Sequence, residues 1–128
     1  MVVLVTDEEL AAIPQRDLLQ WYQQHGLEVL HHPIPDFHTP QRLSQFQDAL
    51  AWTQDALEQG ASVAVHCAAG RGRTGLFLAC WAQEALQMAP EAALNWVRRY
   101  IPGAVETREQ EEFVRSWPRL RERLQTSC

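Results

Sequence analysis

One cysteine in the chain stands in a setting that favours nucleophilic chemistry. An apolar run ends at His66-Cys67, and five residues, two of them glycines, separate Cys67 from Arg73. Successive backbone N–H groups in such a loop form an anion-binding concavity, and a following helix N-terminus adds donors and partial positive charge. An arginine at the end of the loop offers a bidentate fork to two phosphate oxygens. The spacing favours a loop that binds a phosphate dianion above a nucleophilic sulfur.

The residues of this loop are the predicted phosphate ligands. They are Ala68, Ala69, Gly70, Arg71, Gly72 and Arg73. The helix N-terminus and the guanidinium that attract phosphate also favour the thiolate form of Cys67. A buried cysteine beside a turn, and a solvated loop arginine at position 71, are the alternative interpretations. The ATP-binding glycine-rich loop is excluded because it needs a lysine, whereas every Lys or Arg position of this chain is arginine.

The segment His66-Cys-Ala-Ala-Gly-Arg-Gly-Arg-Thr-Gly75 resembles the signature of the protein tyrosine phosphatase superfamily. The resemblance implies that Thr74 donates a hydrogen bond to the Cys67 thiolate and helps to expel it. It also implies that Gln110, within Val105-Glu-Thr-Arg-Glu-Gln110, orients a hydrolytic water; a solvated helix glutamine is the alternative. His66 is expected to fix the loop rather than to act as a base.

The chemistry also needs an acid that protonates the leaving oxygen. Asp36, in Ile34-Pro-Asp-Phe-His-Thr-Pro40, is the candidate, and this segment resembles the general-acid loop of dual-specificity phosphatases. A loop aspartate that caps a helix is the alternative. Further stretches resemble small atypical dual-specificity phosphatases, in particular cyclin-dependent-kinase-associated phosphatase. Members of the family usually have one more strand and helical segment before the point that corresponds to Val2.

The elements that must position these groups follow from the hydrophobic pattern. Strands are predicted over Val2–Val5, Leu27–Pro33 and Ala61–His66, the last of them central. Helices are predicted after a capping box at Thr6 and Glu9, and in five further segments. The first two are Pro14–His25, with Leu18, Trp21 and Tyr22 buried, and Gln41–Gln59, with Leu43, Phe46, Leu50 and Leu57 on one side. The next two are Arg73–Met88 and Pro90–Tyr100. The last helix is capped by Thr107, and Pro118 kinks or ends it.

Alternating strands and helices predict one α/β domain over residues 1–128, with a central, mostly parallel sheet flanked by helices. In such sheets the site lies at the carboxyl ends of the strands, so Asp36 and Cys67 are expected to meet at one edge. The resemblance narrows this expectation to a protein-tyrosine-phosphatase fold of the dual-specificity type.

Composition excludes several classes of partner. The net charge of −5 disfavours nucleic acid, and no apolar run is long enough to insert into a membrane. Three cysteines without regular spacing argue against a disulfide framework, and we expect a cytoplasmic monomer. Because His31 and His32 alternate on a strand, we expect no metal site, and no cofactor is implied.

Hydrolysis of a phosphomonoester, carried by a phosphorylated protein or a small molecule, is the leading functional hypothesis. An arginine at position 71 leaves open a phosphoinositide or inositol-phosphate phosphatase. A non-catalytic phosphate-binding module and a sulfurtransferase, which also holds a cysteine in a cradle loop, are further alternatives.

Overall fold

The computed structural model describes residues 1–13 and 17–126. Within these residues the chain forms a small parallel sheet and a set of helices that pack around it. In chain order the elements are β1 (Val2–Val3), α1 (Asp7–Ala11), α2 (Leu18–Gln24), β2 (Leu30–His31), α3 (Leu43–Glu58), β3 (Val65–His66), α4 (Gly72–Ala85), α5 (Pro90–Tyr100) and α6 (Arg108–Thr126).

The sheet has the strand order β2-β1-β3, and both pairings are parallel. Val2 lies opposite Leu30 on one side and opposite Val65 on the other. The prediction that the strand before Cys67 is central is therefore wrong: β1 is the central strand. The reason is burial, since both residues of β1 are fully buried, whereas β2 and β3 are half-buried.

The strands are shorter than the apolar runs that predicted them. Hydrogen bonding between the β1 and β2 segments continues beyond the assigned strands, because the Ile34 N–H donates to the Leu4 carbonyl at 3.0 Å. The residues that donate to the β1 segment are Leu30, His32 and Ile34, so Pro33, which has no N–H, lies at a position where the ladder needs no donor. The last of these hydrogen bonds, from Ile34, comes just before the segment that carries Asp36.

Local capping explains where several helices begin. The predicted capping box is confirmed: the Glu9 N–H donates to Thr6 Oγ1 at 3.3 Å, and the Thr6 N–H donates to Glu9 Oε1 at 3.0 Å. Helix α5 has the predicted bounds. The Gln110 N–H donates to Thr107 Oγ1 at 3.1 Å, as expected for the cap of α6. Pro118 does not end α6, which continues to Thr126.

The predicted buried face of α2 is wrong. No described residue of this helix is buried, and Trp21 is 36% exposed. The helix is capped by Asp17, whose Oδ1 accepts from the Gln20 N–H at 3.2 Å, and the predicted start at Pro14 lies outside the described residues. Its half-buried Tyr22 instead faces the strand that leads to the cysteine loop, as described below.

An aromatic cluster holds α3, α4 and α6 together. The Phe46 ring contacts Phe77, Phe113 and Trp117 edge to face, with ring centroids 5.0–5.8 Å apart. Leu57, which was predicted on the same side of α3 as Phe46, is 37% exposed because it lies near the end of the helix. The cluster fixes α4, and with it the helix N-terminus that follows the loop.

Candidate active site

The sulfur of Cys67 lies at the base of the loop that follows β3. The side chain is 8% exposed. Two donors point at its Sγ: the Gly70 N–H at 3.3 Å and the Thr74 hydroxyl at 3.1 Å. Gly70 has a φ of +76°, a conformation that glycine adopts without steric cost. Both hydrogen bonds use the sulfur as acceptor, so they hold it in place at the base of the loop.

Arg73 is buried beside this loop and is held by acidic partners. Its side chain is 1% exposed, and Nη1 and Nη2 donate to the two Glu9 carboxylate oxygens at 2.6 and 2.9 Å. Nη1 also donates to the Ile34 carbonyl at 3.0 Å. Burial alone would lower the pKa of Arg73, but the hydrogen bond and the charge of Glu9 raise it above its ordinary value. The guanidinium is therefore a fixed positive charge.

Glu9 is the functional residue that the sequence reasoning did not assign. The hydrogen bond from Arg73 lowers the pKa of Glu9 from 4.5 to about 2, and hydrogen bonds from Thr6 contribute in the same direction. The capping box identified Glu9 only as part of a helix start. The capping interaction also aims its carboxylate, so that one side chain caps α1 and clamps the arginine.

Asp36 lies at the same edge of the sheet as Cys67, as the parallel topology predicts. Its Oδ1 is 3.3 Å from Arg73 Nη2, and its side chain is 50% exposed. The next residue, Phe37, has a φ of +65°, which is uncommon for a non-glycine residue, and its N–H donates to Asp36 Oδ1 at 3.0 Å. The structure therefore brings the candidate acid to the arginine that is predicted to bind phosphate.

Gln110 ties this acid loop to α6. The side chain is fully buried, and its Nε2 donates to the His38 carbonyl at 3.1 Å. Its Oε1 accepts the N–H groups of Glu106 at 3.0 Å and of Thr107 at 3.2 Å. Gln110 thus positions the acid loop against α6. One of the two Nε2 hydrogens remains for the water-orienting role that the resemblance implies.

Glu106 is a second residue that the sequence reasoning left out. Its Oε1 accepts the Gly72 N–H at 3.0 Å, and this amide belongs to the predicted phosphate-binding loop. A Cβ at Gly72 would lie 2.9 Å from both Glu106 Oε1 and Gln110 Oε1. Only glycine fits this contact without displacing the two side chains. A phosphate that uses the same amide must displace the Glu106 carboxylate.

The turn before Glu106 packs directly against the start of α4. A Cβ at Gly75 would lie 2.8 Å from Ala104 Cβ and from the Val105 nitrogen. The Arg71 carbonyl accepts the N–H groups of Gly75 at 2.9 Å and of Val105 at 3.2 Å. Val105 has a φ of +59°, an outlier for a β-branched residue, and is held there by burial and by this bond. The close approach fixes the rear of the loop.

The remaining predicted site residues lie around the mouth of the loop. His66 shares a hydrogen bond with the Tyr22 hydroxyl at 3.0 Å through Nε2, and its Nδ1 is 3.3 Å from the Cys67 carbonyl oxygen. This geometry suits a ring that fixes the loop. Ala68, Ala69 and Arg71 are exposed at the surface of the loop.

The described residues form neither a metal-binding cluster nor a membrane-spanning helix. Among residues 1–13 and 17–126 no group of three or more His, Cys, Asp or Glu side chains is arranged to hold a metal ion. No helix in the same ranges is long and apolar enough to cross a membrane. Cys80 is completely buried in α4, and burial raises the pKa of its thiol well above the ordinary value, so it is inert core.

The chain matches a known protein family. A family model described as "Tc-R-P: Polymorphic toxin system, DSP-PTPase phosphatase" matches residues 1–85. The chain belongs to this DSP-PTPase family. The predicted resemblance to small dual-specificity phosphatases is thereby confirmed.

Curated relatives of this DSP-PTPase chain include viral and mammalian proteins. Putative tyrosine phosphatase 067L of Invertebrate iridescent virus 3 is 35% identical over 103 residues, which are 76% of this chain and 41% of the viral protein. Cyclin-dependent kinase inhibitor 3 of Rattus norvegicus is 29% identical over 116 residues, 88% of this chain and 53% of that protein. The chain therefore spans about half, or less, of the length of these relatives.

Solved structures confirm the predicted fold class. The active form of Tk-PTP is 39% identical and superposes with a TM-score of 0.80 over 95% of this chain and 77% of that one. Kinase associated phosphatase, with serine in place of its catalytic-site cysteine, is 27% identical with a TM-score of 0.87, over 99% of this chain and 70% of that one. The DSP-PTPase chain thus has the α/β fold of a protein tyrosine phosphatase.

Proposed function

We propose that the protein hydrolyses phosphomonoesters through a cysteinyl-phosphate intermediate, as a protein tyrosine or dual-specificity phosphatase. One observation carries the proposal: the Cys67 sulfur receives two hydrogen bonds at the base of a loop that ends in a buried, clamped Arg73. Family membership and the likeness to tyrosine phosphatases support the same reaction.

In the first step the loop amides and Arg73 bind the phosphate dianion, and the Cys67 thiolate attacks phosphorus. A sulfur–phosphorus bond forms while the bond from phosphorus to the leaving oxygen breaks. The electron pair goes to that oxygen, which takes a proton from Asp36. Binding of phosphate to the guanidinium competes with the Asp36–Arg73 contact of 3.3 Å, so that the carboxyl group can turn toward the leaving oxygen.

In the second step water attacks phosphorus and the sulfur–phosphorus bond breaks. The Asp36 carboxylate takes the proton of the water, and inorganic phosphate is released. The electron pair returns to the Cys67 sulfur, where the Thr74 hydroxyl stabilises it through the 3.1 Å hydrogen bond. Gln110 holds the acid loop and offers its remaining Nε2 hydrogen to the water.

The nucleophile is tested by Cys67→Ser with p-nitrophenyl phosphate. Turnover should be abolished while substrate binding is retained, because a serine hydroxyl is far less ionised than a thiol at neutral pH. Cys80→Ala, which removes the other described free cysteine, is the matched control and should keep turnover. Undiminished turnover of Cys67→Ser would refute the mechanism.

The acid is tested by Asp36→Asn with a series of aryl and alkyl phosphates. Poor leaving groups need protonation most, so their kcat should fall by about 10²–10⁴, and good leaving groups should be affected much less. Asp55→Asn, an exposed aspartate of α3, serves as the control. Equal slowing of all substrates would count against the acid role.

An exposed cation beside the loop supports one alternative substrate. Arg71 is exposed next to the buried Arg73, and a second guanidinium favours multiply phosphorylated molecules such as phosphoinositides. Phosphopeptides and inositol phosphates should be compared on the wild type and Arg71→Ala. A loss confined to inositol phosphates would favour this alternative. Absence of any vanadate-sensitive turnover would instead indicate a non-catalytic phosphate-binding module.

We also propose that the protein acts as a cytoplasmic monomer, without nucleic acid or an inserted membrane anchor. A reducing compartment keeps a reactive thiol available, and the described cysteines, Cys67 and Cys80, are both unpaired. Light scattering after size-exclusion chromatography tests the monomer, and cell fractionation tests the location. A dimer, or recovery with membranes, would contradict this part of the proposal.

A further inference from the structure

A cavity of about 360 Å³ opens beside the acid loop. Thr6, the N-cap of α1, lines it on one side, Pro33 and Pro35 line it from the segment after β2, and Gln45 lines it from α3. Pro35 directly precedes Asp36, so the cavity borders the candidate acid. Thr6 binds Glu9, which in turn holds Arg73. The cavity thus adjoins the catalytic machinery without being part of it.

His32 lies in the wall of this cavity with an unsatisfied polar atom. The side chain is 5% exposed, and its Nε2 has no hydrogen-bond partner within the described part of the chain. Burial, together with the neighbouring His31, lowers the pKa of His32, so the ring is neutral at physiological pH. Buried polar atoms without partners are rare in folded proteins, and such an atom in a cavity wall is suited to a ligand.

The charges around the cavity select the kind of ligand. Asp7 and Glu8 line it and are exposed, and the Asp7 side chain is 85% accessible. A neighbouring cavity of about 310 Å³ shares His32 and Gln45 and adds the carboxylate of Asp48. Arg42 lines the first cavity from the opposite side and is also exposed. The two carboxylates that line the first cavity outnumber its one arginine, and Asp48 in the neighbouring cavity adds to the negative charge, so the local field favours a cation.

We propose that the cavity around His32 is a subsite for an arginine or lysine side chain of a phosphorylated protein substrate. The proposal rests on the phosphatase activity proposed above. A guanidinium or ammonium group would bind the carboxylates of Asp7 and Glu8, and its N–H groups would donate to the neutral His32 ring.

The test uses phosphopeptides in which one arginine moves along an otherwise alanine-rich sequence, from four residues before to four residues after a phosphotyrosine or phosphothreonine. We expect kcat/KM to rise about three- to tenfold at one or two positions on one side, the range of partly exposed ion pairs and one hydrogen bond. Glutamate at the same positions should lower kcat/KM. The preference should weaken at about 0.5 M salt, because exposed charges are screened.

The location is tested by the double variant Asp7→Asn with Glu8→Gln. Its ratio of kcat/KM for the arginine and alanine peptides should fall to about one. The double variant Asp55→Asn with Glu58→Gln removes two acidic side chains of another cavity and should keep the wild-type ratio.

Three outcomes would overturn the inference. The first is a flat arginine profile in an enzyme that hydrolyses p-nitrophenyl phosphate. The second is an arginine preference that survives in the Asp7/Glu8 variant, because the subsite would then lie elsewhere. The third is absence of phosphatase turnover altogether, which would refute the proposed function and the subsite with it. The p-nitrophenyl phosphate assay distinguishes this last failure from the other two.

Discussion

Replacing Glu9 by glutamine tests whether the buried arginine depends on its carboxylate clamp. Glutamine keeps the shape of the side chain and one acceptor oxygen, but it removes the charge opposite Arg73. The Ile34 carbonyl and Asp36 remain as partners of the guanidinium. The variant therefore isolates the charge of Glu9 from the packing around it.

The expected loss in the free energy of unfolding follows from the lowered pKa of Glu9. A pKa lowered from 4.5 to about 2 corresponds to about 3 kcal/mol, at 1.36 kcal/mol for each tenfold change. The Glu9 side chain is 28% exposed, so solvent screening reduces this to about 1–2 kcal/mol. We expect Glu9→Gln to lower the free energy of unfolding by this amount at neutral pH. We also expect kcat/KM for p-nitrophenyl phosphate to fall about ten- to a hundredfold, because Arg73 loses one bond of its bidentate clamp and the opposing charge, and is oriented less strictly.

The pH dependence of this stability difference tests the charge of Glu9 more directly than a single measurement at neutral pH. Because the pKa of Glu9 is lowered by folding, its contribution to stability is complete above pH 4.5 and is lost as the pH falls from 4.5 toward 2. Urea unfolding followed by tryptophan fluorescence should show a constant gap between wild type and variant above pH 4.5, and a narrowing gap below it. Glu8→Gln, one residue away in the same helix, is the control. A gap that stays constant down to about pH 3, or an equal cost for Glu8→Gln, would refute the reasoning.

Three further substitutions test separate parts of the structure. Thr74→Ala should leave a burst of p-nitrophenol but slow steady-state turnover about tenfold or more, since the leaving thiolate loses its hydrogen bond; Thr53→Ala, a buried control, should not. Gly75→Ala should lower the free energy of unfolding by about 1–3 kcal/mol, because the new Cβ meets backbone at 2.8 Å; unchanged stability would contradict the close approach. Gln87→Gly should raise the free energy of unfolding by about 0.5–1 kcal/mol, since this exposed residue has a φ of +55° after α4, whereas Gln47→Gly inside α3 should lower it.

The chemistry of the loop could be predicted from the sequence because it is local. Cys67, Arg73 and Thr74 lie within a few positions of one another, and a strand followed by a tight turn and a helix leaves their backbone few arrangements. The capping box of α1 and the proline start of α5 are likewise local, whereas the other helices followed from their hydrophobic pattern. The structure places these residues together as the spacing indicated.

The contacts between distant segments could not be read in the same way. Glu9 and Arg73 are 64 positions apart, and the first signal in that segment, a capping box, already explained the glutamate. The strand order depends on which apolar run is buried on both faces, and Val2–Val3 differs little in type from Val63–Val65. The hydrogen bond from the Gly72 N–H to Glu106 depends on a turn whose geometry Val105 adopts against its own preference.

The protein's own carboxylates surround the loop, so phosphate must compete with them for the same donors. Glu9 and Asp36 face the guanidinium of Arg73, and Glu106 takes the Gly72 amide. These three carboxylates differ in solvent exposure and in the number of hydrogen bonds that they accept. Glu9 is mostly buried and clamped, whereas Asp36 and Glu106 are exposed and are held by fewer bonds. An arriving dianion repels all three, but only the latter two can swing into water at little cost. In the proposed mechanism Glu9 therefore keeps Arg73 in place while phosphate displaces the other two side chains, and Asp36, once it carries a proton, turns to donate that proton to the leaving oxygen.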